Sequence, residues 1–325
     1  MLGYDTARST DHDWGPRLQI VVSEPARAEL TGPLLAAIED ELPDTLLGVP
    51  IDLPGASDLP GGELTHHNSP GTARHHGITI TSLDRLTADL LGTTDPPTRW
   101  RPARWLATPQ QNLLEFTAGP VHHDESGELT ATRAALAHYP HAVWLYLMSG
   151  RWQRIGQVEP FVGRAGEVED ELGSRVLAAG IVRDVMRLAL LQRRRYAPYP
   201  KWLGTAFARS ETDRSLTDPL AAALAAAAWS DRQQALVTAL VELGRRHDAL
   251  DVTPALNAGP GPFFGRPFPV IWGEKFARAL HEAIGPGEVA GLPFGIGGID
   301  EITDSTDALG SRRLRDRLVG GTEDR

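Results

Sequence analysis

The sequence predicts an α+β chain, with a small mixed sheet domain over residues 1–119, a mainly helical bundle over 120–310 and a flexible tail over 311–325. Short β-prone apolar runs concentrate before about Gly119, and apolar residues at three- and four-residue spacing take over after it. Loop-like stretches rich in proline and glycine, Pro54 to Gly71, Ala258 to Pro262 and Pro286 to Gly298, punctuate both parts.

Leu18 to Val22 reads as a strand. Pro25 to Leu42 carries Leu30, Leu34, Leu35 and Ile38 at helical spacing, with a proline near its start. Val49 to Leu53 and Gly77 to Ser82 are two further strands. Ser82 offers an N-cap hydroxyl to a helix through Leu83, Leu86, Leu90 and Leu91 that stops at Gly92. Helical periodicity then marks Thr130 to His138, Ala142 to Phe161, Glu167 to Arg195, Thr217 to Ala228, Asp231 to Asp248 and Glu274 to Ile284. In the longest of these, Val168, Leu172, Val176, Ile181, Val185 and Leu188 form a stripe expected to pack inside the bundle.

The chain has 325 residues, 41% of them apolar and the charged ones of both signs, a globular composition. A net charge of −10 argues against a nucleic-acid coat and against transfer to long nucleic acids. With no cysteine, disulfides, zinc-thiolate sites and thiol nucleophiles are excluded. No apolar run approaches the ~18 residues of a membrane span, and the N-terminus lacks a basic-then-apolar signal pattern. A soluble, cytoplasmic protein is expected.

Arg8-Ser9-Thr10-Asp11-His12-Asp13-Trp14-Gly15 leads into the first strand. In an extended segment Asp11 and Asp13 share one face, and two close carboxylates repel unless a cation sits between them. Mg²⁺ suits this setting, since it favours one or two carboxylates together with substrate phosphates. A solvated turn is the plainer reading of the same residues.

This stretch resembles the Asp-x-Asp strand of the nucleotidyltransferase superfamily. The longer run from Gly3 to Leu18 is more specifically similar to a bacterial family of unknown function, DUF4037, placed in that superfamily. Further similarity lies in Pro70-Gly71-Thr72, Leu114 to Val121, Tyr139-Pro140, Trp152-Gln153-Arg154-Ile155 and Tyr196 to Trp202. The resemblance implies a compact sheet domain followed by helices, with Asp11 and Asp13 as ligands of Mg²⁺ on a nucleoside triphosphate. It also implies a Gly-Ser step a few residues before Gly3, upstream of Met1, and a third carboxylate.

Asp52, between Ile51 and Leu53, and Glu115, in Asn112 to Thr117, are the two candidates for that carboxylate. A solvent-facing strand residue and a structural helix glutamate are their plainer readings. Ser9 and Thr10 beside the acid pair, with Arg195, Tyr199 and Lys201, are candidate nucleotide contacts. Arg193 to Arg195 also complement a helix C-terminus, where cations are favoured. Lys201, between proline-stiffened aromatics, is a candidate for phosphate or an anionic substrate, with cation or stacking roles for Tyr199 and Trp202 the weaker reading.

The pairs His66-His67, His75-His76 and His122-His123 read as loop histidines, because neighbours on an extended chain face opposite ways. His123-Asp124 resembles the dyad of a metal phosphohydrolase but stands before a turn. The function expected is a nucleotidyltransferase-like protein, acting with Mg²⁺ on a small hydroxylated acceptor or a protein side chain. The alternative is a non-catalytic nucleotide- or ligand-binding relative, with a histidine-based phosphohydrolase behind both.

Overall fold

A computed structural model of the chain describes residues 2–4, 17–46, 48–51, 76–212 and 214–320. The chain divides into two compact units, Met1–Asp95 with Ala118–Ala131, and Pro96–Thr117 with Thr132–Arg325. The class is mixed, with many helices and a few short strands.

The first unit contains β1 (Arg17–Val22), α1 (Glu24–Glu41), β2 (Thr45–Leu46), β3 (Val49–Pro50), β4 (Gly77–Ser82) and α2 (Leu83–Leu91). β1 and β4 pair in parallel from Arg17 opposite Gly77 to Val22 opposite Ser82. Parallel neighbours need a crossover, and α1, which packs on β4, lies within it. β2 and β3 form a short antiparallel pair, where the expected strand from Val49 gives way after Pro50.

Both helices of this unit begin as their sequences dictate. The Ser23 hydroxyl accepts from the Ala26 N–H at 3.4 Å, and Pro25 fills the first turn of α1. The Ser82 hydroxyl accepts from the Arg85 N–H at 3.3 Å and donates to Glu24 at 2.6 Å. Gly92, at φ 75°, closes α2 in the left-handed region open to glycine. Glu24 also receives Arg27 at 2.7 Å and Arg85 at 3.1 Å. The Arg27 hydrogen bond, then that of Ser82, holds its carboxyl down to about 2.

The helices that follow are α3 (Pro102–Ala107), α4 (Gln110–Thr117), α5 (Glu128–Leu136), α6 (His141–Glu167), α7 (Glu171–Gln192), α8 (Pro200–Ser210), α9 (Thr217–Ala225) and α10 (Trp229–Asp248). After these come the short antiparallel pair β5 (Gly261–Pro262) and β6 (Pro269–Val270), and α11 (Glu274–Glu282). The segment ends in α12 (Ile299–Ile302), α13 (Thr306–Gly310) and α14 (Arg312–Gly320).

Helix α6 is the axis of the second unit, with α3, α7, α10 and α11 packed on it. Trp152 is fully buried and stacks on Phe276 of α11, ring centroids 4.4 Å apart. Gly156 permits the approach, since a Cβ there would stand 2.6 Å from the backbone nitrogen of Glu274. Trp144 donates its indole N–H to the Leu191 carbonyl at 2.6 Å while Arg151 meets Asp184, so α6 and α7 run antiparallel.

Three expectations change here. α6 does not end at Phe161 but continues to Glu167, with Pro160 buried inside it. The expected stripe splits: Ile181, Val185 and Leu188 on α7 are buried, while Val168, which precedes α7, and Leu172 and Val176 on it are exposed by 74%, 76% and 65%. The step of five from Val176 to Ile181 turns roughly 140° around a helix, and the buried face continues instead through Ala178 and Ser174. Glu169, at φ 65°, and the Asp170 cap on the Gly173 N–H set the start of α7 at Glu171. Finally, the tail expected to be flexible from residue 311 forms α14, capped by Ser311 and packed on α3, with Arg315 buried.

Candidate functional site

Asp11 and Asp13, their lead-in Ser9 and Thr10, and Asp52 lie outside the described residues. Among the described residues no group of three or more histidines and carboxylates is arranged to hold a metal ion.

The other sequence candidates lie in the helical unit. Glu115 stands exposed on α4 and accepts from the Gln111 side-chain amide at 2.5 Å. The same glutamine accepts from the Tyr199 N–H at 2.9 Å, and Gln110 accepts from the Ala197 N–H at 2.8 Å. Two adjacent glutamines thus pin the chain entering α8 and bring Glu115 and Tyr199 to one amide. Lys201 is exposed in the first turn of α8, its Nζ 5.1 Å from the Trp202 ring centroid.

The three arginines after α7 have separate fates. Arg193 meets Glu211 at 3.4 Å, and Arg194, at φ 54°, lays its guanidinium 3.8 Å from the Trp144 ring centroid. Arg195 is exposed and forms no ion pair among the described residues. Of the histidines, His76 is buried and accepts from the Ile78 N–H at 3.2 Å, while His122 and His123 are exposed. Asp124 takes the Thr130 N–H and hydroxyl at 2.7 and 2.6 Å, a capping role that agrees with the turn read there.

A second cluster, not singled out from the sequence, surrounds an open cavity of about 140 Å³. α6 contributes Arg151 and Arg154, α7 contributes Arg183 and Arg187, and the far wall is the segment from Asp300 to Asp304. The pairs are three and four residues apart, so each projects from one helix face.

Arg151 is 2% exposed and lies between two buried carboxylates, with Asp184 at 2.7 Å and Glu301 on its other nitrogen. The Asp184 carboxylate also accepts from Arg154 at 2.9 Å. Glu301 accepts in addition from the Gly298 N–H at 2.8 Å, which fixes the turn into α12. Arg187 donates to the Asp300 carbonyl at 2.9 Å, and Asp300 turns its carboxylate to the Gln110 N–H at 3.0 Å. Loss of hydration, then the Glu301 charge, holds Asp300 up to about 6. Burial, followed by the Arg151 charge, lowers Arg187 below the usual arginine range.

Other buried polar groups serve the core. Glu159 accepts from the Gly273 and Ile271 N–H groups at 2.7 and 2.9 Å, and burial pushes its carboxyl up to about 7. His247 is fully buried, with Nε2 2.9 Å from the Thr253 hydroxyl, and burial pulls it down to about 4.

With this geometry in place, comparison with known proteins adds one finding. The model of a family described as "Domain of unknown function (DUF4037)" matches residues 105–203. The chain resembles the DUF4037 family over that segment. The DUF4037 match takes in Glu115, Arg195, Tyr199 and Lys201, the two glutamines of α4, and all four arginines of the cavity. It does not reach the acid pair or the segment from Asp300 to Asp304. No curated protein and no solved structure matches the chain. Among the described residues, no helix is long and apolar enough to cross a membrane.

Proposed function

We propose that the chain is a cytoplasmic, nucleotidyltransferase-like protein, which transfers a nucleotidyl group from a nucleoside triphosphate to a small hydroxylated acceptor or a protein side chain. The observation that carries this reading is the Asp11-His12-Asp13 motif directly before β1, a strand that enters a parallel strand–helix–strand unit. Asp11 and Asp13 would hold Mg²⁺, which would supply charge to offset that of the triphosphate. The acceptor oxygen bonds to the α-phosphorus as the bond to pyrophosphate breaks, and the hydroxyl proton passes to a carboxylate, for which Asp52 is the candidate within the same unit. The non-catalytic ligand-binding alternative has its own support in the arginine-lined cavity, which needs no acid pair.

Calorimetry with a panel of nucleoside triphosphates and Mg²⁺, followed by a pyrophosphate-release assay with small polyols and a protein acceptor, tests the reading. Metal-dependent binding that weakens at least tenfold in an Asp11→Ala, Asp13→Ala double variant is the result expected. Binding without pyrophosphate release from any acceptor favours the non-catalytic alternative. Binding untouched by the double variant overturns the assignment of the acid pair.

A further inference from the structure

We propose that the cavity between α6, α7 and the segment from Asp300 to Asp304 is a binding site for a phosphate-bearing anion, held by Arg154, Arg183 and Arg187. The site goes beyond nucleotidyl transfer and does not involve the acid pair.

Arg151 is accounted for by architecture: two carboxylates compensate it, and it ties α12 to the helix pair. Arg187 is different. Its residue is 5% exposed, its Nη1 meets a backbone carbonyl, its Nε is buried without a hydrogen-bond partner, and it forms no ion pair among the described residues. A guanidinium does not lose its proton in a protein, so this is a lasting buried charge, which Asp300 and Glu301 stabilise only from beyond ion-pair distance. Such a charge is costly to bury unless an anion completes it.

The neighbouring arginines also retain donors. Arg154 is 42% exposed, with Nε on Asp184 and Nη1 3.4 Å from the Glu301 carbonyl. Arg183 is 36% exposed and meets Asp304 at 2.5 Å through Nη1, while its Nε is buried without a partner. The carboxylates around the cavity are already engaged. Asp184 serves Arg151 and Arg154, Glu301 serves Arg151 and the Gly298 N–H, and Asp300 serves the Gln110 N–H. Asp304, 56% exposed, is the one that an incoming anion displaces from Arg183.

Phosphate rather than carboxylate follows from the approach directions. Arg154 comes from α6, Arg183 and Arg187 from α7, so the donors reach the cavity from different sides. A carboxylate presents its oxygens in one plane, enough for Asp184 to bridge Arg151 and Arg154, whereas a tetrahedral phosphoryl group offers oxygens in several directions at once. At about 140 Å³ the open cavity has room for a phosphoryl group, with a small attached moiety reaching toward solvent.

The test is calorimetric titration of the full chain with inorganic phosphate, pyrophosphate, a nucleoside monophosphate and citrate, in EDTA so that no divalent ion takes part. Saturable binding of at least one phosphate probe, tighter than citrate, is expected. It weakens tenfold or more in Arg187→Gln and in Arg183→Gln, and persists in the Asp11→Ala, Asp13→Ala variant. Arg183 and Arg154 are partly exposed, so variants there keep the test valid if Arg187→Gln fails to fold by circular dichroism. A preference for inorganic phosphate or for the nucleoside monophosphate tells a free anion from a substituted phosphate ester. No saturable binding of any phosphate probe, tighter binding of citrate, or phosphate binding unchanged in Arg183→Gln and Arg154→Gln overturns the proposal.

Discussion

The two units of this chain are held together by different means. In the first, β1 has no fully buried residue, α1 buries Leu35 while leaving Leu30 47% exposed, and the named links are polar: Ser23 and Ser82 as caps, and Glu24 gathering Ser82, Arg27 and Arg85. In the second, α6 buries every residue from Val143 to Trp152, the mark of a helix surrounded on all sides. Composition does not separate the two; neighbours do. A helix packed on four others removes far more apolar surface from water than one packed on a two-stranded ribbon.

The largest way to test this contrast is Trp152→Ala. It empties a fully buried site stacked on Phe276 and costs about 4 kcal/mol, read by chemical denaturation. A loss under ~1 kcal/mol would remove the claim that α6 is the packing axis.

The contrast extends to pH. Glu159 titrates at about 7 in the fold against an ordinary 4.5, so between those values the folded chain holds a proton that the unfolded chain has released. Its contribution is fully present below about 4.5 and is lost as pH rises through 7, by up to ~3 kcal/mol. Denaturation midpoints measured across this window should fall with pH, and the fall should be shallower in Glu159→Gln. Glu24 has the opposite sign: held down to about 2, it supports the first unit above its ordinary range and loses that support as pH falls toward 2.

The smallest effect belongs to the first unit. Ser82→Ala removes the cap of α2 and one partner of Glu24, and costs about 1 kcal/mol in the same denaturation experiment. An effect matching that of Trp152→Ala would mean that one polar link governs this unit as strongly as packing governs the other.

What was legible in the sequence follows the same division between local and distant causes. α2 was readable to the residue because Ser82, the leucines and Gly92 are all local signals. β4 and the start of α9 at Thr217 were legible for similar reasons. The end of α6, read at Phe161, lies instead at Glu167, because buried packing around α6 carries the helix on. The outward turn of Leu172 and Val176 was missed because a five-residue step looks like continued periodicity until the angle is followed. No helix was read at α8, although Pro200 sits where a helix start accepts proline.

The site divides likewise. Glu115 and Tyr199 meet at Gln111 although no local pattern joins them. The arginine cavity was invisible for the same reason: Arg151 and Arg154 are near in sequence, but the carboxylates that distinguish them from surface arginines come from α7 and from residues 300–304. The spacing of Arg151, Arg154, Arg183 and Arg187 within otherwise apolar helix faces was the available signal.

The link from Arg151 to Glu301 spans 150 positions of sequence. At a synthesis rate of 5–20 residues per second, the second carboxylate follows its arginine by roughly 8–30 s. During that interval a nascent chain can assemble α6 and α7 around Asp184, but Arg151 lacks half of its eventual compensation and Trp152 lacks the ring of Phe276. Completion of this cluster therefore waits on the segment around Glu301, a high-contact-order closure that makes the order of synthesis part of how this protein acquires its core.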